Sequence, residues 1–341
     1  MSALPIAAPS SSDAPIWRVF LSAFHAQALV MADDLGLFAA LARAPLTTDE
    51  LAASLAIEPR AVEAIGGVLA ALELVAIADG AFHLTDVARD YLVPGRPYYW
   101  GGMLRRIREN PLDARKLVGA LRRDRAAAEA RVTELWHAPT PPVVALEAFT
   151  HAMHAHSFAL AMRIIPHLDL PADGHLLDVA GGSGSYSIAA ALRHPTLRCT
   201  LLDLPPVCAI AGRYAHELGV GDRIELHAAD MFREAWPAGV DRVFMSDIFH
   251  DWDDVRCTAL AERAHAALRP GGQLVIHEML VGDAKDGPLP ALAYSMAMLF
   301  STEGKQRTGG ELRALLTAAG FANIRIAMTS GGYAAIMGEK R

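Results

Sequence analysis

Cysteine is scarce in this 341-residue chain: Cys199, Cys208 and Cys257 are odd in number and show no CxxC spacing. A disulfide framework and a zinc ribbon are excluded on that count, and a reducing cytoplasm is the expected setting. No run of about 18 uncharged apolar residues occurs, so neither a membrane span nor a membrane partner is expected. No basic residue precedes Arg18, and the opening segment therefore lacks a signal-peptide n-region. Positive charge is short too. Lys and Arg total 31 against 38 Asp and Glu, a net of −7, which is the wrong sign for a protein that lives on phosphate backbones. What is plentiful is apolar: 52% of residues are hydrophobic and 20% charged, the balance of a globular chain with room for two domains.

After a loose tail carrying Pro5, Pro9 and Ser10–Ser12, the pattern from Ile16 to Asp90 is helical and rich in Ala and Leu. Thr47-Thr48-Asp49-Glu50 offers hydroxyl caps and then carboxylates in a first turn, which predicts a short helix. A second helix follows over residues 60–74, with Val62, Ile65, Val68, Leu69 and Leu72 at helical spacing. Two short apolar runs around Asp79-Gly80 predict a hairpin. Two helices and a hairpin make a winged helix-turn-helix. The charge count opposes a DNA-binding use: residues 1–100 hold five basic and eleven acidic residues, and the second helix offers only Arg60 to a groove. Residues 105–125 are basic, but at helical spacing with interleaved acids, as on a solvated helix face.

Beyond Pro139-Thr-Pro-Pro142 a helix over 143–167 leads into alternating strands and helices. Strands are predicted at 176–179, 200–202, 224–227, 242–246, 273–277, 324–328 and 334–337, with helices at 186–193, 207–218, 255–268 and 310–319. That alternation predicts an α/β fold with a doubly wound parallel sheet, whose ligands lie at the carboxyl ends of the strands. Domain boundaries follow at 1–100 for the helical domain, 101–165 for a linker with substrate-lining helices, and 166–341 for the catalytic domain.

The strongest local motif is Leu176-Leu-Asp-Val-Ala-Gly181-Gly182-Ser-Gly184, placed where a strand hands over to a helix. Three glycines there permit a tight turn and close approach of backbone to ligand. The dinucleotide pattern GxGxxG fails at Ser187, and no Walker loop is present. Asp203 closes the next strand, where a carboxylate can accept both hydroxyls of a ribose. Asp230, Met231 and Phe232 close the third, an acid for an adenine amine and two apolar groups for its ring.

Taken together, Val-Ala-Gly-Gly-Ser-Gly, Leu-Leu-Asp-Leu-Pro, Ala-Asp-Met-Phe, Asp-Ile-Phe-His-Asp-Trp and Arg-Pro-Gly-Gly resemble class I S-adenosylmethionine-dependent methyltransferases. More narrowly, they are similar to the plant caffeate/hydroxyindole O-methyltransferase type and its bacterial relatives. The resemblance spans nearly the whole chain. It implies a Rossmann-like catalytic domain, an N-terminal winged-helix domain that makes a homodimer, and S-adenosyl-L-methionine as cofactor. It also places Leu204 and Ser246 beside that cofactor. Two departures stand out: Ala180 where the loop usually has glycine, and Ser246 where plant members carry lysine.

Methyl transfer to a phenol needs water excluded, the acceptor aligned and a proton removed. An imidazole suits the last task. The resemblance assigns it to His250, with Glu278 and position 306 orienting the ring. Here Gln306 replaces the expected glutamate, and Glu303, three residues upstream, is the nearest carboxylate that could take its place. The same likeness implies that Phe149 and Met153 border the acceptor; Trp252, Tyr294 and Met298 are further candidates for its walls. His151, His154 and His156 share no helical face and match no zinc spacing, so no metal is expected. The leading expectation is O-methylation of a phenolic hydroxyl on an aromatic small molecule. N- or C-methylation on the same scaffold, and a metabolite-sensing winged-helix regulator, are the alternatives.

Overall fold

The computed structural model describes residues 9–109 and 142–341, together with Val118, Leu121, Arg122 and Trp136. The first eight residues of the tail and most of the basic stretch at 105–125 lie outside the described residues, as do residues 139–141 of the proline-rich joint. Two compact units divide the chain, Met1–Pro111 and Leu112–Arg341.

In the first unit, α1 (Ala14–Asp34) and α2 (Leu37–Leu41) precede β1 (Leu46–Thr47) and α3 (Thr48–Leu55). Thr47 and Glu50 form the reciprocal cap that the sequence announces: Glu50 accepts from the Thr47 amide at 2.8 Å while Thr47 Oγ1 accepts from the Glu50 amide. After α4 (Pro59–Ala71), β2 (Val75–Ala78) and β3 (Ala81–Leu84) make the expected hairpin, followed by α5 (Asp86–Tyr91) and α6 (Gly101–Glu109). Asp79 and Gly80 both have positive φ, as a two-residue connection of this hand requires. β1 adds to the free edge of β3, a third strand too short to register as a pattern. Leu37, Phe38, Leu51, Val62, Leu69 and Phe82 fill the core. Along α1, by contrast, Ile16, Trp17, Val19, Phe20 and Phe24 are each more than half exposed.

The second unit is built on a sheet with the order β6-β5-β4-β7-β8-β10-β9 among the described residues. Its strands are β4 (His175–Val179), β5 (Arg198–Asp203), β6 (Ile224–Ala228), β7 (Val240–Ser246), β8 (Leu268–Met279), β9 (Ala322–Met328) and β10 (Tyr333–Glu339). The first five run parallel; the central segments of β4, β5, β7 and β8 are largely buried and read as apolar runs, whereas β6, at the sheet edge, is mostly exposed. β10 is antiparallel to both β8 and β9. Order reverses at β4, so a crevice opens at its carboxyl end. Four helices fall where predicted: α8 (Ser185–Arg193), α9 (Pro205–Glu217), α10 (Asp254–Ala267) and α12 (Gly309–Ala318), preceded by the long α7 (Val143–Ile164). The sequence reading placed no helix over α11 (Leu289–Ser301). Its residues are apolar or small on nearly every side, so no polar face marks a period.

Candidate active site

The turn from β4 into α8 is held open by three left-handed residues: Ala180 (φ 52°), Gly182 (φ 58°) and Gly184 (φ 78°). Ala180 adopts that conformation with a β-carbon, so the departure from glycine is tolerated at some strain. A Cβ on Gly181 would come within 2.9 Å of the Asp178 carboxylate, whereas one on Gly182 would meet nothing within 4 Å. The loop therefore packs tightly below and stands clear above. Asp178, fully buried, accepts from the Ser187 amide at 3.2 Å and its hydroxyl at 2.8 Å, tying strand to helix; burial pushes its carboxyl up to about 6.

At the end of β5, the two oxygens of Asp203 accept from the Gly182 amide (2.8 Å) and the Leu204 amide (2.7 Å). One acceptor position per oxygen remains for a ligand diol. Burial pushes this carboxyl up to about 6, with the two amides acting against it. Beyond β6, Asp230 closes its own loop: Oδ1 accepts from the Phe232 amide at 2.8 Å, and Oδ2 lies 3.5 Å from Arg233. Ser246, at the end of β7, donates to the Tyr186 hydroxyl at 2.9 Å and lies 3.1 Å from His277 Nδ1.

His250 sits in a short 3-10 turn (Phe249–Asp251) just past β7 and is 3% exposed. Its amide donates to Glu278 Oε1 at 3.1 Å, and its Nδ1 lies 2.9 Å from the Gln306 amide nitrogen. Three carboxylates surround the ring: Asp247 Oδ1 at 3.6 Å and Glu278 Oε2 at 3.9 Å from Nδ1, and Asp251 Oδ1 at 3.6 Å from Nε2. Burial, reinforced by His156 and Arg307, pulls the imidazole down to about 3, so it is neutral at ordinary pH. Glu278 is raised by burial to about 7 against the pull of backbone amides and Arg307. The turn is clamped from below by Arg307, 2% exposed, which donates to the carbonyls of Phe249 (2.6 Å) and Trp252 (2.9 Å) and pairs with Asp254 at 2.7 Å.

Beside His250 lies a cavity of about 360 Å³ lined by His156, Met279, Pro290, Ala293, Tyr294, Ala297 and Tyr333. Tyr294 meets the His250 ring edge-to-face at 5.3 Å. Tyr333 reaches this place because β10 runs antiparallel, so its first residue lies level with Met279 at the end of β8. The Tyr333 hydroxyl lies 3.2 Å from His156 Nε2 and 3.4 Å from Asp247 Oδ2.

The sequence-predicted residues thus gather at one edge of the sheet, with exceptions. Tyr294 lines the cavity; Phe149, Met153 and Met298 are not among its lining residues. Trp252, 2% exposed, is packed in the core edge-to-face with Phe232 at 4.9 Å rather than on the cavity wall. Glu303 does not reach His250, because its side chain pairs with Arg256 on the outside. Of the three histidines of α7, His151 lies 2.6 Å from the Tyr214 hydroxyl, His154 stacks on the same Tyr214 ring and lies 2.9 Å from Ser183 Oγ, and His156 meets Tyr333. Sequence reasoning passed over Asp247, Tyr333 and Arg307. The hint available for the first was an acid three residues before the histidine.

A glycine turn over a strand-end carboxylate at the reversal of a mostly parallel sheet defines a Rossmann-like α/β fold. Comparison with known proteins gives the family. A profile of the O-methyltransferase domain matches residues 131–322, and one of the O-methyltransferase dimerisation domain matches residues 17–94. The chain belongs to the S-adenosylmethionine-dependent O-methyltransferases. It is 36% identical over 310 residues to a 3-hydroxy-5-methyl-1-naphthoate 3-O-methyltransferase of Streptomyces sahachiroi, covering 88% of this chain and 86% of the relative. It is 29% identical to the acetylserotonin O-methyltransferase of Bos taurus, covering 92% and 94%. Among solved structures, human N-acetylserotonin methyltransferase in complex with SAM superposes with a TM-score of 0.81 at 24% identity, over 98% of this chain and 99% of that one.

Proposed function

We propose that this enzyme methylates a phenolic hydroxyl of an aromatic small molecule, held in the cavity beside His250. The observation that carries the reading is the neutral, buried imidazole at the edge of an aromatic-walled cavity, on the same sheet edge as the glycine loop. The relatives' names, a 3-hydroxy-5-methyl-1-naphthoate and an acetylserotonin O-methyltransferase, support an aromatic acceptor.

The residues fit S-adenosylmethionine: the space above Gly182 is clear, and Asp203 keeps an acceptor position on each oxygen. We assign the ribose to Asp203 with Leu204, the methionine end to the Gly181–Gly184 loop with Ser246, and the adenine to Asp230, Met231 and Phe232. The cofactor supplies an electrophilic methyl group when bound. His250 Nε2 takes the proton of the acceptor hydroxyl, and Tyr294 holds the ring. Residues 1–100 form the dimerisation domain, and the exposed apolar face of α1 is the surface that a second copy covers.

The test is incubation with S-adenosylmethionine and a set of phenols including 3-hydroxy-5-methyl-1-naphthoate and N-acetylserotonin. An aromatic methyl ether, located by mass and regiochemistry, is the expected product. Methylation at nitrogen or carbon would replace this reading.

Two further results are expected from titration with S-adenosylhomocysteine. Asp203→Ala removes two charge-assisted bonds to the ribose and should weaken binding roughly 10- to 100-fold. In the intact enzyme the ionised Asp203 is the binding form. Because burial raises this carboxyl from the ordinary 3.8 to about 6, affinity should hold above neutrality and decline as pH falls through 6. A decline that begins only near 4 would remove Asp203 from the site.

A further inference from the structure

Three buried side-chain oxygens near His250 have no hydrogen-bond partner: Asp247 Oδ1, Glu278 Oε2 and Gln306 Oε1. Unpaired buried acceptors are costly; two of these face one ring nitrogen, and the third belongs to the amide whose nitrogen lies against it, which marks a site waiting for a donor. The donor they share is a proton on His250 Nδ1. Where that proton sits decides the chemistry, because an imidazole protonated on Nδ1 leaves Nε2 free as a base, and the reverse tautomer does not. The Gln306 amide works either way round. With its nitrogen toward Nδ1 it favours the proton on Nε2, and turned about its last bond it would offer Oε1 to an Nδ1 proton. A neutral amide therefore cannot choose.

Of the two carboxylates, Glu278 already serves the backbone of the His250 turn through Oε1. Asp247 is closer, at 3.6 Å against 3.9 Å, and its Oδ1 is uncommitted. Its backbone is left-handed (φ 56°), a strained state for a non-glycine residue, held where β7 breaks into the 3-10 turn. The Tyr333 hydroxyl at Oδ2 holds the carboxylate from behind, with His156 Nδ1 3.9 Å away. We propose that Asp247 is the positioning carboxylate for His250, accepting the Nδ1 proton so that Nε2 faces the acceptor unprotonated. This rests on His250 being the base. When Nε2 takes the hydroxyl proton of the acceptor, the cation so formed lies against Asp247 and no proton moves further. Burial and Glu278 hold the Asp247 carboxyl well above the usual range. His250, Asp247, Glu278, His156, Tyr333, Tyr186, Asp251 and Arg307 therefore form the charge environment in which the pair titrates as a unit.

The experiment is nitrogen-15 NMR on histidine-labelled enzyme in mildly alkaline buffer, with the His250 signals identified by their loss in His250→Ala. The wild-type spectrum should show Nδ1 protonated and Nε2 bare; the opposite tautomer overturns the proposal without any variant. Asp247→Asn keeps a residue type that tolerates left-handed backbone. It should shift the population toward the reverse tautomer and lower turnover of 3-hydroxy-5-methyl-1-naphthoate about 10- to 100-fold, with S-adenosylhomocysteine affinity unchanged. Adding Gln306→Glu to that variant puts a carboxylate 2.9 Å from Nδ1 by another route, and should restore both the tautomer and most of the turnover. An Asp247→Asn enzyme with the wild-type tautomer overturns the proposal while leaving the base assignment intact. Survival of turnover in His250→Ala would instead overturn the base assignment itself.

Discussion

Replacing His250 by alanine is expected to cut turnover by a factor of about 10² to 10⁴ while S-adenosylhomocysteine binds as before. The reasoning is local. A phenol, with a pKa near 10, holds its proton at neutral pH; burial keeps the imidazole uncharged but also weakens it as a base, so the transfer relies on the carboxylates beside the ring to stabilise the cation that forms. The glycine loop and Asp203 lie across the crevice and make no hydrogen bond to the ring, so cofactor affinity reports separately on folding. Turnover that survives within a few-fold would mean that alignment alone drives the reaction, and that the acceptor loses its proton to water.

The second large effect is expected from Gly304→Ala, a change of one methyl group at a residue that bears no functional group. A Cβ there would fall onto the carbonyl oxygen of His250 and within 2.6 Å of the Trp252 amide nitrogen. Both are backbone atoms of the turn that Arg307 clamps, so neither can swing aside like a side chain. Overpacking of this kind costs on the order of 1–3 kcal/mol. It should lower the melting temperature by several degrees in a unit of this size. Because the displaced atoms carry the imidazole, turnover should fall at least roughly tenfold as well. A variant that melts and turns over like the parent would show that the segment before Gln306 can reseat freely.

The cofactor side of this site was open to sequence reading because each part of it is local. A strand, a glycine turn and a following helix lie within about a dozen residues, and the carboxylates of Asp203 and Asp230 each terminate or follow a recognisable apolar run. His250, Glu278 and Gln306 were found through resemblance rather than spacing, and the fold does bring the three together. The acceptor side resisted for a physical reason. His156, Tyr294 and Tyr333 come from three elements far apart in sequence, and no periodicity links them. Tyr333 enters only because β10 reverses direction. His156 was weighed as a metal ligand, since three histidines in six residues draw the eye toward metals, but the helix sends His151 and His154 to Tyr214 and His156 to Tyr333. Trp252 shows the complementary error. Two positions from a candidate base it reads as part of the acceptor wall, yet the tight turn between them sends its ring into the core.

The place of β10 has a consequence for how the enzyme comes into being. It is later in the chain than every other strand, yet it lies between β8 and β9. Until it is synthesised, β8 presents an unpaired backbone edge, and Asp247 lacks the hydroxyl behind it. A nascent chain held on the ribosome would therefore carry an adhesive flank and no finished reaction centre. Catalytic competence and protection of the β8 edge thus depend on one and the same strand.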